Sequence, residues 1–72
     1  MAERHVNPAA RVYVVNVPFP YRGLNVRTGP GTEHSVLHVL PDGAQVEATG
    51  RSRKGWLPVS GGWADKTYLK EV

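Results

Sequence analysis

Leu24-Asn25-Val26-Arg27-Thr28-Gly29-Pro30-Gly31-Thr32 is the stretch that decides how this chain reads. Its first four residues alternate apolar and polar. That is the period of a strand with one face on a core, so Leu24 and Val26 point inward and Asn25 and Arg27 outward. Gly29-Pro30-Gly31 then makes a tight reversal, because proline presets φ and glycine accepts backbone angles other residues avoid.

The same grammar repeats on either side. Eight glycines and six prolines punctuate the chain at short intervals. Toward the C-terminus, Ser35–Leu40 reads as a strand and Pro41-Asp42-Gly43 as a turn. Gln45–Thr49 alternates again, with Val46 and Ala48 inward, and Gly50–Gly55 is a basic loop. Trp56–Ser60 and Trp63–Asp65 form a hairpin around Gly61-Gly62, a pair suited to a two-residue primed turn. Thr67-Tyr68-Leu69 reads as one 3-10 turn and Lys70-Glu71-Val72 as a closing strand. Toward the N-terminus, Arg11–Val17 is a strand stopped by Pro18 and Pro20, since proline donates no ladder bond. Pro18–Gly23 is an extended loop, with Phe19 as the side chain that ties it to the barrel.

Short runs at this spacing predict an all-β fold, a small barrel of about five to seven strands. No stretch sustains the i, i+3, i+4, i+7 pattern of an ordinary helix. The expected core is Val14, Leu24, Val26, Val36, Leu40, Val46, Ala48, Val59, Ala64 and Leu69. With 72 residues there is room for one domain. Residues 1–10 read as a flexible tail and 11–72 as the domain. A chain of this size buries only about 60% of its unfolded surface, which leaves a thin stability margin. It has no cysteine, so disulfides, thiolate metal sites and cysteine nucleophiles are excluded.

Met1–Ala10 holds no apolar run of signal-peptide length, and Val12–Val15 is far too short to span a bilayer. A full-length chain is therefore expected in the cytoplasm or delivered by a phage particle, with no membrane partner. Nine Lys and Arg stand against six Asp and Glu, a net charge of +3. That is no more than a small soluble domain needs.

From Leu24 to Leu69 the chain resembles the bacterial SH3 (SH3b) family. The resemblance rests on Leu24–Thr32, on Val36, Leu40 and Gly43, and on Gly55-Trp56, Val59, Gly62-Trp63 and Tyr68-Leu69. Three departures stand out: His34 where an aromatic residue is common, Pro58 inside a strand, and a short Val59–Ala64 hairpin. Pro58 suggests a strand whose N–H positions there face an open edge. The resemblance implies an SH3-like barrel and binding rather than catalysis. Family members are mostly targeting modules, often attached to cell-wall hydrolases, and bind peptidoglycan, its peptide stem or its cross-bridge. Others bind proteins.

The residues themselves also argue against an enzyme. Ser35, Ser52 and Ser60 lack a nucleophile-elbow context. Glu33, Asp42 and Glu47 sit on separate turns and faces, whereas acid–base work needs carboxyl groups held together. His34 and His38 would lie roughly 13 Å apart along a strand at ~3.3 Å per residue, too far to share one zinc ion. Their bland roles are a loop histidine and a half-buried strand histidine. No metal or cofactor is expected.

Binding is better supported. The aromatic residues are numerous for a barrel whose core prefers Val and Leu, and rings with a polar tip serve interfaces. Tyr21, His34, Trp56 and Tyr68 are placed near a groove between loops, with Asn25 and Arg27 as polar contacts. Trp63 reads as structural. The expected ligand is a short peptide of the peptidoglycan stem or cross-bridge. The alternatives are a host protein bound by a stand-alone intracellular module and, least favoured, nucleic acid at Arg51, Arg53 and Lys54. The last trio otherwise reads as a solvated turn. Arg11–Val17 carries valine on both faces, so a homodimer would supply cover that one chain does not.

Overall fold

The structure, a computed structural model, describes residues 11–72. The expected tail, residues 1–10, lies outside the described residues. Seven strands follow one another: β1 (Val12–Val15), β2 (Gly23–Arg27), β3 (Val36–Pro41), β4 (Gln45–Glu47), β5 (Trp56–Val59), β6 (Gly62–Asp65) and β7 (Leu69–Glu71). A 3-10 turn, Lys66–Tyr68, separates the last two. All neighbouring strands are antiparallel and form two sheets, ordered β4-β1-β7 and β3-β2-β6-β5.

The sheets join through the chain between β4 and β5. Ala48 pairs with Val59, and the Thr49 N–H donates to the Pro58 carbonyl at 2.9 Å. Arg53 and Trp56 exchange both backbone bonds at 2.8 Å around Lys54 and Gly55. Those two residues have φ of 53° and 81°, the paired positive angles of a type I′ turn. The segment expected as a basic loop is therefore in part a tight hairpin end. It also explains Pro58. Its carbonyl faces Thr49, so its nitrogen faces away from β6, and the β5–β6 ladder loses no donor.

The core is Tyr13, Val15, Leu24, Val26, Ala48, Leu57, Val59, Ala64 and Leu69, with Val17, Leu40, Ala44, Val46 and Tyr68 packed around it. Four expectations are corrected here. In β1 the inward face carries Tyr13 and Val15, and Val14 is only half-buried. Both faces of that strand are apolar, and the larger ring takes the interior, where it removes most area from water. Leu57 belongs to the core, two residues from Val59 on the same face. Val36 is 46% exposed, because β3 is an edge strand with a bulge opposite Val26 and Arg27. His38 on the same strand is likewise exposed rather than half-buried.

The β5–β6 reversal falls on Ser60 and Gly61, one residue earlier than expected. Gly62 lies within β6, and a Cβ there would meet the Arg27 carbonyl oxygen and come within 2.7 Å of Val26 Cγ1. That close approach is what lets β6 pass against β2. β1 is the central strand of its sheet, so both its edges are paired and one of its valine-bearing faces is already covered by the core.

Candidate functional site

The outward face of the four-stranded sheet builds the site. On β2 the alternation that buries Leu24 and Val26 leaves Asn25 and Arg27 facing out. Across the ladder, Arg27 pairs with Trp63, Trp63 with Pro58, and Asp65 with Trp56. The sheet therefore presents a row of polar and aromatic side chains. The Pro18–Gly23 loop and the 3-10 turn stand at its end.

These parts enclose an open cleft of about 340 Å³. Tyr21, Asn25, Arg27, Trp56 and Tyr68 all line it, with Asp65 and Thr32 as further polar walls. Tyr21 comes from the loop, where its N–H donates to the Pro18 carbonyl at 2.9 Å. The residue is 68% exposed. Tyr68 is held by its backbone, whose carbonyl accepts from the Asn16 N–H at 2.8 Å. Trp56 is fixed by the two backbone hydrogen bonds it exchanges with Arg53. Aromatic walls are thus delivered by three separate segments, each with its main chain anchored.

Two charges of opposite sign share the cleft. Arg27 is half-buried, and its Nη1 donates to the carbonyls of Thr32 at 3.1 Å and His34 at 3.0 Å. Asp65 caps the 3-10 turn, its Oδ1 accepting from the Thr67 N–H at 2.9 Å. Among the described residues its second carboxylate oxygen has no partner.

His34 stands apart from the other five. Its ring covers Gly29, with Nδ1 about 2.7 Å from where a Cβ would stand, and its Nε2 lies 3.6 Å from Glu33 Oε2. Its backbone carbonyl still serves the site by holding Arg27. Phe19 corrects another expectation: at 92% exposed it is no hook into the barrel. It stands beside Tyr21 on a second hollow at the cleft's outer end. Asp65 was missed by reading the sequence. A turn at Gly61-Gly62 would set it opposite Pro58, and the reversal at Ser60 and Gly61 is what sets it opposite Trp56.

A seven-stranded, two-sheet β fold of this size with an aromatic cleft on one face defines an SH3-like module. The family model described as bacterial SH3 domain matches residues 22–70, and the chain belongs to that family, a family of binding modules. Neither the curated proteins nor the solved structures gave a significant match.

Proposed function

We propose that the protein is a non-catalytic module that holds a short extended peptide in the Tyr21–Trp56–Tyr68 cleft, the peptide being a peptidoglycan stem or cross-bridge. The observation that carries this reading is the lining itself. Three aromatic side chains and one cation–anion pair of residues meet in a single open hollow. Aromatic side chains contribute large contact area at little entropic cost. Arg27 offers the remaining donors of its guanidinium to a carboxylate, and Asp65 offers an oxygen to an amine. Short wall peptides carry both groups. A host protein remains the alternative ligand for the same cleft.

Retention of the intact protein on purified cell walls tests the proposal. Wild type should sediment with walls and Trp56→Ala should not, with circular dichroism confirming that the variant is folded. Equal retention of both, or none of either on walls from several bacteria, would overturn it.

A further inference from the structure

A second cleft, of about 440 Å³, lies behind the first. Strand alternation separates them: Trp56 faces the aromatic cleft and its neighbour Leu57 faces this one. The 3-10 turn does the same, with Tyr68 on one side and Lys66 on the other. The buried residues Tyr13, Ala48 and Leu57 form the floor. Arg11, Arg51, Ser52 and Lys66 form the rim, and among the described residues no Asp or Glu lines it.

The three cations reach the cleft from separate parts of the fold: the lead into β1, the loop after Ala48, and the start of the 3-10 turn. Arg11 has a counter-ion, Glu71 Oε2 at 2.8 Å, and this contact holds its guanidinium pKa above the usual value. Arg51 and Lys66 form no ion pair among the described residues. Like charges converging on one hollow raise its potential, and an anion relieves their mutual repulsion. The rim also carries a hydroxyl donor, Ser52, beside two guanidinium groups. That donor set suits an oxyanion with several oxygens.

We propose that this cleft is a separate anion site that takes phosphate groups of a base-free polymer. The lining offers an unpaired nucleobase nothing to stack on, which disfavours single-stranded nucleic acid. Its one aromatic residue, Tyr13, is only 8% exposed, so no ring is open for a base to stack on. The site is independent of the peptide cleft, and its occupancy does not need the peptide reading to hold.

The experiment is a titration of the full chain with inorganic polyphosphate at low and moderate salt, with polyglutamate and oligothymidylate of matched charge beside it. Polyphosphate should bind most tightly, and the affinity should fall as salt rises, because bound counter-ions are released. Arg51→Glu and Lys66→Glu should each weaken binding by about tenfold, the loss of one charge-assisted contact. Trp56→Ala should bind polyphosphate as wild type does. No binding at low salt, insensitivity to both charge reversals, or tighter binding of either other polymer would overturn the proposal. Both reversed residues are exposed, and circular dichroism checks that the variants remain folded.

Discussion

Arg27 Nη1 reaches the backbone carbonyl of His34 at 3.0 Å, across the whole of the reversal that follows β2. A second bond from the same nitrogen, to Thr32, makes the side chain a bracket on residues 28–34. Arg27→Ala should therefore loosen that loop and lower stability by about 1–3 kcal/mol, the usual worth of hydrogen bonds from a charged group. Urea unfolding measures the loss. Hydrogen exchange should show it concentrated in 28–34, and uniform deprotection of all strands would contradict the bracket.

Gly62 lets β6 pass close against β2. Gly62→Ala places a methyl group against the Arg27 carbonyl and Val26. Overpacking of a fixed backbone costs about 1–3 kcal/mol, a large share of the margin in so small a domain. The midpoint of thermal unfolding should drop by several degrees at least. An unchanged midpoint would mean that the strands separate without penalty.

Lys54 adopts φ 53° at the first central position of its turn, beside Gly55 at 81°. A long side chain is disfavoured there, and Asn-Gly is the preferred pair for this turn type. Lys54→Asn should stabilise the fold by about 0.5–1 kcal/mol. Differential scanning calorimetry should register a rise of roughly 2–8 °C. A fall would show that the lysine makes a compensating contact.

Phe19 contributes little to the core, so Phe19→Ala should alter stability by no more than about 0.5 kcal/mol. Its place beside Tyr21, in a hollow next to the aromatic cleft, gives it a different importance if the proposed binding holds there. Wall retention should decrease while the unfolding curve stays put. Substantial destabilisation instead would assign the ring a structural part.

The strands along the chain and most of the turns between them were readable because Gly and Pro break the chain into runs shorter than any helix. Leu24, Val26, Ala48, Val59, Ala64 and Leu69 were readable as core because each alternates with a polar or small neighbour. β1 was not, because Val12 and Val14 on one face compete with Tyr13 and Val15 on the other, and periodicity cannot rank two apolar faces. Val36 failed differently. An apolar run does not say how many neighbours its strand has, and β3 has one. Tyr21, Asn25, Arg27, Trp56 and Tyr68 line the aromatic cleft, where outward parity and loop position put them. Asp65 and the cationic hollow depend on cross-strand register and on which sides of β5 and the 3-10 turn face each other. Those relations arise only when distant segments meet.

The family match begins at residue 22, yet the middle strand of the three-stranded sheet is Val12–Val15. Val15, 1% exposed, and Tyr13 are supplied from outside the matched segment. Excising the module at the match boundary would strip β4 and β7 of their shared partner and open the interior to water. Anyone grafting this unit onto another protein must carry the chain from residue 11 onward, for the portable piece is larger than the recognisable one.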